Sequence, residues 1–130
     1  MRRILLAFTA SLLLASCGGV AGPEDNRVRN FDGTVIPNGT TIDPDFHFRV
    51  TRNGEFDLEL TAFSVPNTQV GVSLGTSAPN GGCLDLIVRF LFVGQGFSGP
   101  MPSGDYCLAV FDQGALTEPA TFNVRITTPN

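Results

Sequence analysis

The sequence predicts an all-β protein, built as an antiparallel β-sandwich of about seven strands with Greek-key type connections. Apolar and polar residues alternate through most of the chain, and no window repeats apolar residues at helical spacing for more than a turn or two. Clusters of Gly, Pro and Asn separate the alternating runs, as turns do in sandwich domains. The 130-residue chain, less a predicted N-terminal export segment, has the length of one domain.

Each predicted strand is an alternating run that ends at a turn cluster. The run LDLIVRFLFV, at residues 84–93, alternates less cleanly than the others. It predicts either a strand that is buried on both faces or a strand that bends from one sheet to the other. In chain order, the predicted strands span residues 31–36, 45–52, 55–63, 68–74, 84–93, 105–112 and 120–127.

The second and third predicted strands are expected to form a β-hairpin around a turn at residues 52–54. A two-residue turn would place Phe48 opposite Glu59, which would mix apolar and charged side chains on one face. A three-residue turn instead places Phe48 opposite Leu58 on the inner face and His47 opposite Glu59 on the outer face. The alternation therefore favours the three-residue turn, with glycine in its last position.

The N-terminal segment has the pattern of a bacterial export signal. Residues 1–3 (MRR) are positively charged, and the apolar stretch that follows at residues 4–15 is too short to span a bilayer. The sequence LASC at residues 14–17 then resembles the lipobox of bacterial lipoproteins, in which the cysteine is lipidated and cleavage exposes its amine. The alternative is an ordinary signal peptide that leaves Cys17 as a free thiol.

The lipobox resemblance implies a covalent lipid at Cys17 and a protein held stably at a membrane, because two or more acyl chains anchor where one does not. Gly18 follows the cysteine in place of aspartate, which by the family's sorting rule implies the outer membrane over the inner one in a Gram-negative cell. The predicted organisation is a signal peptide at 1–16, a lipidated cysteine and flexible tether at 17–29, and the sandwich at 30–130.

The charge balance excludes nucleic acid as a partner. The chain has 8 Lys and Arg residues against 12 Asp and Glu residues, a formal net charge of −4, and loss of the export segment removes two of the arginines. A nucleic-acid binder needs the opposite sign to displace counterions from phosphate. The same acidic balance argues against electrostatic docking on anionic lipids, so any membrane contact is expected through the lipid at Cys17.

Cys83 and Cys107 are the two cysteines that remain when Cys17 is lipidated. An even pair in an exported, oxidising compartment predicts a disulfide bond. Closure of this loop would stabilise the fold by about 3.5 kcal/mol in the chain-entropy model. A metal site is the less favoured alternative, because two cysteines and the single histidine cannot fill a tetrahedral shell without further carboxylates.

The C-terminal strands carry a second resemblance. The sequences GDYCLAVFD at 104–112 and FNVRI at 122–126 resemble the last strands of bacterial pre-peptidase C-terminal (PPC-like) domains, and VGVSLGT at 70–76 followed by Cys83 resembles uncharacterised lipoproteins of this sandwich type. The resemblance covers residues 30–127. It implies a sandwich fold and an accessory, secretion-linked, matrix- or polysaccharide-associated role without a catalytic residue. The cysteine pair departs from the family's pattern.

Two further groups of residues are candidates for sites. Asp43 and Asp45 form a D-x-D at the start of a strand and are calcium candidates, although a simple turn at the intervening proline is favoured because the EF-hand spacing is missing. Phe97 and Met101 lie in a predicted loop at 94–104 and are candidates for ligand binding. The alternative is that Phe97 folds inward and closes the end of the sandwich.

Catalysis is not predicted. His47 is the single histidine, its expected place is an exposed strand face, and no motif marks an activated nucleophile beside it. The sequence thus predicts a lipid-anchored, non-enzymatic interaction or structural module of the cell envelope, with no cofactor beyond the lipid. The alternative is a carbohydrate- or matrix-binding accessory domain. An envelope protein or a polysaccharide is the expected partner in either case.

Overall fold

In the computed structural model, which describes residues 25–41 and 46–130, two antiparallel four-stranded sheets pack face to face and confirm the predicted β-sandwich. Sheet I has the strand order β1-β8-β3-β6, and sheet II has the order β2-β7-β4-β5. Within these residues, no helix has the length and apolar character that crossing a membrane requires. The strands are β1 (Asn26–Val35), β2 (Phe46–Val50), β3 (Gly54–Phe63), β4 (Val70–Ser77), β5 (Cys83–Leu91), β6 (Gly96–Met101), β7 (Gly104–Phe111) and β8 (Ala120–Pro129).

The core lies between the two sheets and is formed by the inward-facing residues that the alternation predicts. In β8, for example, Phe122, Val124 and Ile126 are buried while the residues between them face outward. The faces predicted for β2 and β3 are also correct. Their buried apolar residues are Phe48, Val50, Phe56, Leu58 and Leu60.

The predicted hairpin between β2 and β3 is wrong. β2 pairs with β7 in sheet II, where Phe48 lies opposite Tyr106, whereas β3 pairs with β6 and β8 in sheet I. The turn between β2 and β3 therefore carries the chain from one sheet to the other. Both arrangements bury the same side chains, so the alternation could not separate strands that lie side by side from strands that face each other across the core.

The predicted loop at 94–104 contains the additional strand β6, which pairs with β3 at the edge of sheet I. Its glycines and proline argue against a strand in sequence, but an edge strand tolerates proline. Gly96 permits a close approach, because a Cβ there would lie 2.0 Å from the carbonyl oxygen of Leu58. At the other end of the chain, β1 begins at Asn26, within the segment predicted as tether.

β5 fits neither of the two alternatives predicted for residues 84–93. It is an edge strand of sheet II, and its side chains Leu84 and Leu86 are 59% and 64% exposed. A bulge in its pairing with β4 lies opposite Leu74 and Gly75. The chain then turns at residues 92–95 and continues into β6 at the edge of the other sheet.

The predicted disulfide between Cys83 and Cys107 is present, with sulfur atoms 1.99 Å apart and Cα atoms 5.7 Å apart. It joins β5 to β7, although β4 lies between these strands in the sheet. Gly75 of β4 makes this possible: a Cβ there would lie 2.1 Å from the carbonyl oxygen of Leu84, so the start of β5 crosses close over β4. The bond closes on the outer face of sheet II.

Candidate binding cleft

The outer face of sheet II contains a cleft of about 420 Å³. Its floor is formed where Ser73 of β4 lies opposite Ala109 of β7. Outward-facing positions on either side of Ser73 are Gly71 and Gly75. Because small side chains occupy the centre of this face while larger groups surround it, the sheet has a depression there.

One wall of the cleft is the segment at residues 36–41, which we call the strap. Thr40 of the strap forms an isolated β-bridge with Phe111 at the end of β7. The backbone N–H of Asp112 donates to the carbonyl oxygen of Gly39 at 2.8 Å. The opposite wall is the start of β5, from which Cys83 and Asp85 line the cleft.

Asp112, a residue that is only 5% exposed, holds the strap in place through its carboxylate. It accepts hydrogen bonds from the backbone N–H groups of Asn38 at 2.9 Å, Gly114 at 3.0 Å, Ala115 at 2.9 Å and Leu116 at 3.3 Å. Burial alone would raise the pKa of Asp112, but these hydrogen bonds outweigh it and hold that pKa below its ordinary value. The charged carboxylate thus joins the strap to the loop that follows β7.

Several polar groups and an aromatic ring face this cleft. The hydroxyl of Ser73, which is 1% exposed, donates to Oδ1 of the exposed Asp85 at 2.7 Å and so fixes the orientation of that carboxylate. Thr40 on the strap is exposed. The half-buried ring of Phe111 meets the ring of Phe90 edge-to-face, with centroids 5.8 Å apart. The arrangement offers hydrogen-bonding groups beside apolar surface, which suits binding.

His47 lies on the same outer face and hydrogen-bonds to Ser77. Its Nδ1 is 2.7 Å from the hydroxyl oxygen of Ser77, and that hydroxyl donates to the carbonyl oxygen of Tyr106 at 3.0 Å. With that single proton donated to the Tyr106 carbonyl, Ser77 can only accept from His47, which requires the tautomer with hydrogen on Nδ1. A serine activated by histidine needs the reverse direction.

The predicted pairing of His47 with Glu59 is wrong, because the two residues lie in different sheets. His47 is opposite Cys107 in sheet II. Glu59 instead pairs with Arg125 of β8, with 2.6 Å between Oε2 and Nη2. The error follows directly from the hairpin that the structure does not contain.

Phe97 and Met101 belong to strand β6, so the predicted surface loop is wrong, and ligand binding by these two residues stays a prediction. Met101 is 1% exposed and part of the core. Phe97 lies opposite Leu58 and packs edge-to-face on Phe56, with ring centroids 5.7 Å apart. The alternative, in which Phe97 turns inward, describes its position. Pairing with β3 turns both side chains toward the core.

The predicted lipidation site and calcium candidates lie outside the described residues: these are Cys17, Asp43 and Asp45. Within residues 25–41 and 46–130, no three His, Cys, Asp or Glu side chains form a group that could hold a metal ion.

The cleft itself was missed by the sequence reasoning. The signal that could have found it is the alternation of small residues at 71, 73 and 75, which share one face of β4. That signal shows a shallow face, but the walls come from the strap and from β5, which are distant in sequence from one another.

Comparison with known proteins leaves the family open. The chain matches no protein-family model and no curated protein sequence. The resemblances to bacterial lipoproteins and to PPC-like domains stay predictions from the motifs that carry them.

Proposed function

We propose that this protein is a lipid-anchored module of the bacterial cell envelope that acts by binding and not by catalysis. The observation that supports this is the separation between the start of the sandwich and its cleft. β1 runs from Asn26, opposite Pro129, to Val35, opposite Ala120, and the strap follows Val35. β1 thus begins at one end of the sandwich, and the strap lies at the other.

The end of the sandwich at which β1 begins is held by contacts of Asp25 with the last residue and with Arg52. The backbone N–H of Asn130 donates to the carbonyl oxygen of Asp25 at 3.0 Å, and the Arg52 guanidinium lies 3.3 Å from the Asp25 carboxylate. Between Cys17 and Asp25 the chain can span roughly 28 Å when fully extended. A lipid at Cys17 would therefore keep this end near a membrane and leave the strap end directed toward a partner.

The non-catalytic part of the proposal is supported by the polar groups of the outer face. Ser77 is hydrogen-bonded to His47, and its hydroxyl donates to the carbonyl oxygen of Tyr106. The buried carboxylate of Asp112 is used in hydrogen bonds to backbone N–H groups. Both side chains therefore have structural partners in place of a substrate.

The anchor is tested by metabolic labelling with a radioactive fatty acid in the bacterial host. The wild-type chain should incorporate the label and partition into the membrane fraction, and Cys17→Ser should lose the label and remain unprocessed at that site. Ser16→Ala is the matched control, because it keeps a small residue before the cysteine and should be labelled normally. Equal labelling of Cys17→Ser and wild type would overturn the anchor.

Carbohydrate or matrix binding is the second candidate function. The observation that favours it is the mixed polar and aromatic lining of the cleft on sheet II. The binding site that the sequence predicts at Phe97 and Met101 is not used for this second function, since both side chains turn toward the core.

A further inference from the structure

We propose that the cleft on the outer face of sheet II binds an uncharged saccharide ring, with Asp85 and Thr40 as hydrogen-bonding residues and Phe111 as its aromatic wall. The inference rests on the proposed role as a binding module and names the class of partner. It does not depend on the lipid at Cys17.

The size and shape of the cleft fit such a ligand. Its volume of about 420 Å³ lies within the range of small-molecule sites. Ser73 and Ala109 form a floor of small, buried side chains, so the groups that a ligand reaches are those on the rim. The exposed rim residues, Thr40 on the strap and Asp85 on β5, leave the cleft accessible from solvent.

Asp85 is positioned to accept hydrogen bonds from sugar hydroxyl groups. Its Oδ1 already accepts from Ser73 at 2.7 Å, which holds the carboxylate still. In the part of the chain that the structure describes, Oδ2 of Asp85 has no hydrogen-bond partner, and neither do the side chains of Thr40 and Asn38 on the opposite wall. Hydrogen-bonding groups on both walls, one of them preoriented, are what fixes a polyhydroxylated ring.

The charges of the cleft select against anionic ligands. Its lining contains the carboxylates of Asp85 and Asp112 and, among the described residues, no basic side chain. The carboxylate of Asp112 is saturated by backbone N–H groups and so has little capacity left for a ligand. A phosphate or an acidic sugar would meet the carboxylate of Asp85 without a compensating cation.

The aromatic wall supplies the apolar part of the recognition. The tip of the Phe111 ring lies over Gly71, and Phe90 packs against its edge. Aromatic faces carry partial negative charge, and the C–H groups of a sugar ring are weakly positive, so the two attract. Gly71 is required for this arrangement, because a Cβ there would come within 2.4 Å of the Phe111 ring.

The test is a titration of the full-length ¹⁵N-labelled protein in detergent with neutral trisaccharides of glucose, galactose and N-acetylglucosamine, each at millimolar concentration. At least one should shift the amide resonances of the strap, of Ser73 and of Asp85. Trigalacturonic acid, which is anionic, should shift them far less. Failure of every neutral trisaccharide, shifts confined to other surfaces, or equal binding of the acidic sugar would overturn the proposal.

Two variants locate the site. Asp85→Ala should weaken binding about tenfold or more, because a charged acceptor is lost, and Thr40→Val should weaken it about threefold to tenfold at nearly constant shape. Asp57→Ala is the matched control, since Asp57 is an exposed aspartate on the other sheet. Unchanged affinity in a folded Thr40→Val and a folded Asp85→Ala would refute the site. Fatty-acid labelling of Cys17 tests the lipid anchor in a separate experiment. The anchor and the saccharide site can therefore each be refuted without the other.

Discussion

The guanidinium carbon of Arg29 lies 5.1 Å from the centroid of the Phe48 ring, and this contact joins the edge strands of the two sheets. Arg29 belongs to β1 of sheet I, and Phe48 belongs to β2 of sheet II. The same guanidinium donates to the carbonyl oxygen of Arg49 at 2.9 Å and to the hydroxyl of Thr128 at 2.5 Å. Arg29 thus links the two sheets on this side of the sandwich, where Phe31 of β1 also stacks on Phe46 of β2 with ring centroids 4.8 Å apart.

We predict that Arg29→Ala lowers the free energy of unfolding by about 2 kcal/mol, because a cation–π contact and a charge-assisted hydrogen bond between the sheets are lost together. Urea denaturation of the variant and the wild type measures this. Arg27→Ala is the control, since Arg27 is an exposed neighbour on the same strand, and it should change stability little. Equal effects of the two substitutions would show that Arg29 does not link the sheets.

Asp112 should make the stability of the protein sensitive to acid. The pKa of Asp112 is lower in the folded protein than in the unfolded chain. The carboxylate therefore adds to the free energy of unfolding at pH values above its ordinary pKa of about 4. This stabilisation is lost as the pH falls through the lower pKa of the folded protein. We expect the melting temperature of the wild type to fall between pH 5 and pH 2, by more than that of Asp112→Asn over the same range.

Asp112→Asn should lower the free energy of unfolding at neutral pH by about 1–3 kcal/mol. An amide has only one acceptor oxygen, so Asp112→Asn places an N–H donor against backbone N–H groups. Asp57→Asn, on the exposed face of sheet I, is the control and should behave like wild type. A fully stable Asp112→Asn would contradict the role of this carboxylate in holding the strap.

The disulfide should contribute strongly to stability. Replacement of Cys83 and Cys107 together by serine is expected to lower the free energy of unfolding by about 3.5 kcal/mol, through the entropy gained by the unfolded chain. Intact-mass analysis of the exported protein after alkylation without reductant should find neither thiol modified. Cys17→Ser is the control, and the folded domain should retain its stability. Two alkylatable thiols in the native protein would contradict the bond.

The exposed apolar side chains of β5 should make this edge of sheet II prone to association. Leu86 is 64% exposed on an edge strand, and such strands pair with other chains unless charge or shape prevents it. We expect Leu86→Lys to slow aggregation, measured by light scattering, with little change in melting temperature. Leu58→Lys, at a fully buried position, should instead unfold the protein. Unchanged aggregation of Leu86→Lys would remove β5 as the cause.

The sequence alone predicted part of the candidate site. The disulfide was predicted from an even pair of cysteines in a chain that is expected to reach an oxidising compartment. In the structure, this bond borders the cleft beside Asp85. The strap was not predicted, because nothing local in sequence marks Asp112 as the partner of Asn38. Met101 was misjudged, because glycine and proline in its neighbourhood indicate a loop, and only pairing with β3 makes the segment a strand.

By itself, the sequence determined the class of fold, the strands with clean alternation and the face on which each of their side chains lies. Phe48 and Leu58 are inward-facing, as their alternation predicts, because side-chain direction along a strand follows from local backbone geometry. Only the tertiary structure decided which strand lies beside which. The partners of β2, β5 and β6 depend on hydrogen bonds between distant segments, and several pairings bury the same residues equally well. The cleft exists through those pairings, since its floor comes from β4 and β7 and its walls come from the strap and β5.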